Sequence, residues 1–216
     1  MLSNRQIFLQ NIGQTTDHPL AIEIEKAEGI YLYDTDGKDY IDLVSGVSVS
    51  NLGHRHPEVV QAIKDQLDKH MHLLVYGEFV QYPQVKFAEL LTNQLPGSLN
   101  NIYFVNSGSE ANEGALKLAK RYTGRTEIIG CNNAYHGSTH GVISLMGDEK
   151  FRNPFRPLLP DIRYIDFNDE EQLEHITKRT ACVIVEPIQA EAGIVLPKNN
   201  FLEKLRKRCN ETGTLL

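Results

Sequence analysis

The chain has 216 residues, 41% of them hydrophobic, enough to bury a sizeable core in one large domain with a small appendage. Its 28 carboxylates outnumber 22 lysines and arginines, a net charge of −6 with no basic stripe, which argues against a nucleic-acid surface and for small-molecule chemistry. No apolar run approaches the roughly 20 residues of a membrane helix, and Met1–Gln6 lacks the apolar core of a signal peptide, so the expected location is the cytoplasm.

In chain order, Gly29–Leu43 reads as a β-hairpin, with β-branched and aromatic residues on either side of the turn Asp34-Thr35-Asp36-Gly37. Pro57 opens a predicted helix with Val60, Ile63, Leu67, Met71 and Leu74 on one face. A second helix from Pro83 carries Val85, Ala88, Leu91 and Leu95 and stops at Pro96-Gly97. After Asn101 strands alternate with helices: strands at 102–105, 127–131, 162–165 and 181–185, helices at about 109–122, 138–146, 169–178 and 200–212. That alternation predicts an α/β fold around a largely parallel sheet. Pro154, Pro157 and Pro160 make 151–160 a surface loop. Cys131, Cys182 and Cys209 lie far apart without a Cys-x-x-Cys pairing and read as buried thiols.

The junction at Asn106-Ser107-Gly108-Ser109-Glu110 joins a strand-like run to a helical pattern and is laid out as an anion site. Gly108 lets the backbone approach a ligand, and the helix N-terminus presents uncapped N–H groups and a positive dipole end. A phosphate suits it. Ser107 and Glu110 are spaced as a capping box, and Ala111, Ala115, Leu116, Leu118 and Ala119 supply an apolar side. On this segment alone, an ordinary Ser-capped turn stays open. Ligands of such sheets collect at the carboxyl ends of the strands, so this turn should converge with Asn132–Gly137 and with Glu186-Pro187-Ile188-Gln189. Tyr135 can stack on a flat cofactor, with Glu186 and Gln189 at its edge; taken alone, Tyr135 also fits a half-buried packing ring. His54-x-His56, His70-x-His72 and His136-x-x-x-His140 have ligand-like spacings. No third convergent ligand is visible, and Gly137 stands where a zinc-protease helix carries Glu, so no metal is expected and the first two pairs read as solvated or capping.

Asp34-Thr-Asp-Gly-Lys, Ser45-Gly46, Asn51-Leu-Gly-His54-Arg-His56-Pro57, Asn106-Ser-Gly-Ser-Glu-Ala-Asn-Glu113, Tyr135-His-Gly137, Pro154–Pro160 and Glu186-Pro-Ile-Gln-Ala-Glu-Ala-Gly193 together resemble the class III pyridoxal-phosphate-dependent aminotransferases, of the acetylornithine and ornithine type. The resemblance runs through nearly the whole chain in unbroken order. It implies a fold-type-I transferase: a mostly parallel sheet with helices on both faces, residues 57–216 forming an incomplete large cofactor domain and 1–56 an N-terminal segment with a hairpin. It implies pyridoxal 5'-phosphate as cofactor, its phosphate on Gly108 and Ser109, its ring under Tyr135 and Glu186 beside it. Glu191 falls on the substrate side, Ser138 directly after the aromatic motif, and Val47 near the substrate entrance, although a packing role for Val47 stays open. The implied reaction moves an amino group from an ω-amino or acetylornithine/ornithine-type donor to a 2-oxo acid such as 2-oxoglutarate, in a homodimer with its active site at the interface.

Two departures qualify the resemblance. The family's pyridine-nitrogen Asp and cofactor-tethering Lys lie beyond Leu216, so no catalytic residue is assigned, and this polypeptide is expected to be inactive alone. A non-catalytic fragment or module of the same fold, an aminomutase and another ω-aminotransferase are the alternatives. Ser138 also stands where acetylornithine and ornithine enzymes usually carry an Arg, and a neutral hydroxyl cannot grip a carboxylate bidentately.

Overall fold

In the computed structural model, which describes residues 2–74 and 77–216, every buried hydrophobic side chain lies between Leu116 and Cys209. The chain divides into two units, residues 1–87 and 88–216.

In the second unit, β4 (Glu127–Cys131) is flanked by β5 (Ile162–Ile165) and β6 (Thr180–Val183) in the order β5-β4-β6, both pairings parallel. All residues of β4 and β6 are buried, as expected for strands covered on both faces. Successive residues serve opposite layers. Ile129, Cys131, Ile165 and Val183 pack with Leu173 and Ile176 and with Phe201, Leu205 and Cys209 of α8 (Phe201–Thr212). Ile128 and Cys182 pack on the other face with Leu116 and Ala119 of α5 (Gly108–Thr123) and with Val142 and Leu145. Both long helices end on a glycine in the left-handed region, Gly124 and Gly213. All three cysteines are buried and free.

Local patterns misled at four places in this unit. Ile102–Val105 forms no strand, and Tyr103 is 75% exposed. Both edges of β4 are taken, and Leu215 bridges to Cys182 of β6, so strand propensity in 102–105 finds no ladder there. The helix expected over 138–146 is the single turn α6 (His140–Ile143), which tightens into i→i−3 bonds through Met146, with Gly137 and Gly147 flanking it and Gly141 inside the turn. Residues 169–178 hold only a 3₁₀ turn, Glu171–His175, because Asp169 Oδ1 accepts the N–H groups of Glu171 and Gln172 in place of a helical ladder. The predicted 151–160 loop overlaps α7 (Glu149–Arg152) and a 3₁₀ turn, Asn153–Phe155. Asp148 caps α7, and Pro154 occupies a first-turn position where its missing N–H costs nothing. On α5, Leu118 is exposed although Leu116 and Ala119 face the core.

In the first unit, α1 (Asn4–Asn11) starts from a Ser3/Gln6 capping box, and β1 (Ile24–Glu28), β2 (Tyr31–Asp34) and β3 (Asp39–Ile41) form an antiparallel meander. The hairpin β2–β3 is as expected; α1 and β1 are additional. Asp34 Oδ1 accepts the N–H groups of Asp36 and Lys38, closing the turn. The turn α2 (Ser45–Ser48) departs from a right-handed helix, with φ of 51°, 62°, 61° and 62° at its four residues. Asp42 holds its start: Oδ1 accepts the N–H groups of Val44 and Ser45, and Oδ2 lies 2.8 Å from His54 Nε2. His54 is thus engaged by a carboxylate rather than solvated, while its backbone pairs with Gly29. Helix α3 (Pro57–Leu67) stops short of Met71 and Leu74, and α4 (Tyr82–Thr92) stops short of Leu95.

Candidate active site

At the start of α5 the Ser107 hydroxyl accepts the Glu110 N–H at 3.2 Å. The reciprocal half of the expected capping box does not form. Glu110 Oε2 accepts instead from the backbone N–H and side-chain amide of Asn106, at 2.7 and 3.1 Å, one residue before the cap. The N–H groups of the first turn precede the first intrahelical bonds and, in a 16-residue helix, stand at the positive end of the dipole. A Cβ built on Gly108 would meet nothing within 4 Å, so this end of the helix opens on free space.

One face of α5 holds the loop after β4. Ser109 Oγ accepts the Ser138 N–H at 3.1 Å, and Asn112 donates to the carbonyl of His136 at 2.8 Å. Glu113 Oε1 accepts from the Thr139 hydroxyl at 2.7 Å and from the N–H groups of Gly141 and Val142 at 2.8 and 3.0 Å. Gly137 has φ of 115°, and a Cβ there would stand 1.9 Å from Ser109 Oγ, so only glycine permits this approach. Tyr135 is 48% exposed. Its N–H donates to Glu186 Oε2 at 3.1 Å, and Glu186 Oε1 accepts the Ala190 N–H at 3.3 Å. Gln189 is buried and donates to the Asn132 carbonyl at 2.9 Å.

Of the residues singled out from the sequence, Ser109 and Ser138 are therefore bonded directly, Tyr135 and Glu186 are bonded directly, and Gly108 is the neighbour of Ser109. Glu191 lies exposed in the turn closed by Gln189 and Val195, with no hydrogen bond to the others among the described residues. Val47 belongs to the first unit, where it is 72% exposed with φ of 61°. For a β-branched residue that is a strained conformation, costing on the order of 1–3 kcal/mol. Asn112, Glu113 and His136 were not singled out for the site. The signal for the first two was their i, i+3 and i, i+4 spacing from Ser109, which puts them on its side of the helix.

His136 is buried with Nε2 lacking a hydrogen-bond partner among the described residues, and burial pushes its pKa down to about 4. The ring is neutral at pH 7. Cys131, at the end of β4, is pushed up to about 12, first by burial and then by the carboxylates of Glu186 and Asp166, so it supplies no thiolate. Asp166 is held below the ordinary carboxylate range by the amides of Asn132 and Gln172. Among the described residues, no group of three or more His, Cys, Asp or Glu is placed to hold a metal ion. No helix among them is long and apolar enough to cross a membrane.

A parallel sheet covered by helices on both faces, with a helix N-terminus and a half-exposed aromatic ring beyond its strand ends, is an α/β architecture of the kind that takes phosphorylated ligands at that edge. Residues 12–216 match the family model of the class-III aminotransferases, and the chain belongs to that family. Its members are pyridoxal-phosphate enzymes of fold type I. Over 198 residues the chain is 42% identical to the acetylornithine aminotransferase of Methanopyrus kandleri, covering 90% of this chain and 50% of that protein. It is also similar to the taurine:2-oxoglutarate aminotransferase of Bifidobacterium kashiwanohense, solved in complex with pyridoxal phosphate and glutamate, with a TM-score of 0.83 at 28% identity over 97% of this chain and 53% of that one. The ornithine aminotransferase of Toxoplasma gondii gives a TM-score of 0.80 at 29% identity, over 97% and 51% of the two chains. The chain thus spans about half the length of these relatives. The open space at Gly108 and the exposure of Tyr135 fit the phosphate and the flat ring of the family's cofactor.

Proposed function

We propose that this chain is the cofactor-holding part of an aminotransferase that moves an amino group from an ω-amino or acetylornithine/ornithine-type donor to a 2-oxo acid, 2-oxoglutarate being the favoured acceptor. The observation that carries the reading is the clasp between Ser109 and Ser138 at the open N-terminus of α5. Because a lone pair of Ser109 Oγ takes the Ser138 N–H, its own hydrogen is left to donate to a phosphate oxygen, alongside the N–H groups of Gly108 and Ser109. Tyr135 would stack on the cofactor ring, and Glu186, oriented by the N–H groups of Tyr135 and Ala190, would offer an acceptor beside it.

When bound, pyridoxal phosphate supplies an electron-accepting ring that stabilises negative charge at the substrate carbon losing its proton. Ser138, Glu191 and Val47 are assigned to the substrate side. The functional division is 1–56 for the N-terminal segment and 57–216 for the cofactor domain. The enzyme is assigned as a cytoplasmic homodimer with its active site at the interface. Ser138 favours a second reading in which the donor is another ω-amine, or the amino group shifts within one molecule, because no guanidinium stands at that position.

Titration of pyridoxal phosphate into the chain, followed by absorbance, tests the cofactor site. Saturable one-to-one binding, weakened about tenfold by Ser109→Ala through loss of a charge-assisted hydrogen bond, is expected. No saturable binding, or an unchanged Ser109→Ala variant, overturns it.

A further inference from the structure

Helix α6 lacks a side-chain cap: Thr139 occupies the N-cap position, yet makes no cap bond to its own helix. Its hydroxyl turns to Glu113 instead, and the same carboxylate oxygen takes the N–H groups of Gly141 and Val142. Glu113 therefore caps α6 from a different helix, placing a negative charge at its orphan N–H groups. The space is reserved for it. A Cβ on Gly141 would lie 2.2 Å from Glu113 Oε2 and 2.7 Å from Oε1, a carboxylate pinned by three hydrogen bonds.

Glu113 stands one turn beyond Ser109 on α5, about 6 Å along the axis. Ser109, Asn112 and Glu113 hold the backbone at Ser138, His136, Gly141 and Val142 and the hydroxyl of Thr139, so the polar holds between α5 and this loop come from the turn adjoining the phosphate end, while Leu116 and Ala119 further along pack on Val142 and Leu145. Tyr135 lies in the same loop, one residue before His136. We propose that Glu113 is a positioning residue for cofactor binding, setting the Tyr135 ring at a fixed height and tilt over the N-terminus of α5. The inference rests on the cofactor reading above and adds a residue that does not touch the cofactor.

The test combines pyridoxal-phosphate titration with amide hydrogen exchange on the wild-type chain, Glu113→Gln, Tyr135→Ala and the double variant. Glu113→Gln should speed exchange at Gly141 and Val142, leave the amides of α5 protected, and weaken pyridoxal phosphate about tenfold. In the Tyr135→Ala background the same change should weaken it less than about twofold, because an effect exerted through Tyr135 vanishes with the ring. Gly141→Ala displaces the carboxylate without removing it, and should give the same pattern at smaller amplitude if Glu113→Gln does not fold.

Unchanged affinity in a folded Glu113→Gln chain overturns the inference. So does an equal loss in both backgrounds, which would mark general damage to the fold. A wild-type chain that binds no pyridoxal phosphate overturns the cofactor reading and this inference together; a wild-type chain that binds while Glu113→Gln is indifferent overturns this one alone.

Discussion

Acidification from about pH 7 to about pH 4.5 should destabilise the 88–216 unit through one side chain. His136 is 7% exposed, its Nε2 has no hydrogen-bond partner among the described residues, and burial lowers its pKa from 6.5 to about 4. The unfolded chain takes up a proton near pH 6.5 that the folded chain refuses until about pH 4. The stability contributed by the neutral ring is therefore fully present above pH 6.5 and declines as the pH falls towards 4, at up to about 1.4 kcal/mol per unit. From 6.5 down to 4 the loss reaches roughly 3 kcal/mol at most, a large share of the roughly 5–15 kcal/mol typical of a folded domain. Asp34, Asp42 and Asp166 are held below 3.8, Asp34 chiefly by the Tyr40 hydroxyl, Asp42 by the Ser45 N–H and Asp166 by the Asn132 amide. Their stabilisation declines from about pH 3.8 downward, and that of Glu149, held below 4.5 chiefly by Arg156, from about pH 4.5 downward; both carboxylate contributions are present in wild type and His136→Gln alike, so the difference between the two profiles isolates the histidine. Urea unfolding followed by far-ultraviolet circular dichroism, across this pH range, on the wild type and His136→Gln measures the effect. The wild type should lose stability steeply between pH 6.5 and 4.5 and the variant should not; parallel profiles would refute the assignment to His136.

Phe201 is fully buried and meets Phe167 edge-on at a centroid distance of 5.3 Å. Phe201→Ala should cost about 3–5 kcal/mol, read as a lower urea midpoint at unchanged slope, and a cost under about 1 kcal/mol would show that the layer collapses around the gap. Gly137→Ala should separate the loop from α5, because its Cβ would stand 2.9 Å from Ser109 Cβ as well as 1.9 Å from Oγ. Pyridoxal-phosphate binding should fall by about tenfold or more, and an alanine variant with wild-type affinity would show that the Ser109 clasp is dispensable.

Much of the second unit is readable along the chain because its signals are local. Helix α5 lies between Ser107 and Gly124, β4 is an apolar run, and α8 repeats its buried residues at Phe201, Leu205, Cys209 and Thr212. The failures share a cause. Ile102–Val105 has the composition of a strand, but a strand exists only where a neighbour supplies its ladder. Val142, Ile143, Leu145 and Met146 are spaced as a helix, yet three glycines and a carboxylate from α5 decide how far it runs. The Ser107–Glu110 spacing signalled a cap, and the Asn106 N–H competed successfully for the carboxylate.

The sequence by itself determined where the chain turns, caps and alternates, and the run of motifs that marks the family, because these depend on neighbours a few residues apart. The tertiary structure alone decided that Glu113 caps a helix 26 to 29 residues away, that Tyr135 and Glu186 meet across 51 residues, and that His136 is buried enough to stay neutral. No short spacing encodes those partnerships: they form only when the parallel sheet brings separate strand ends to one edge, and it is the resulting burial that sets the charge state of His136.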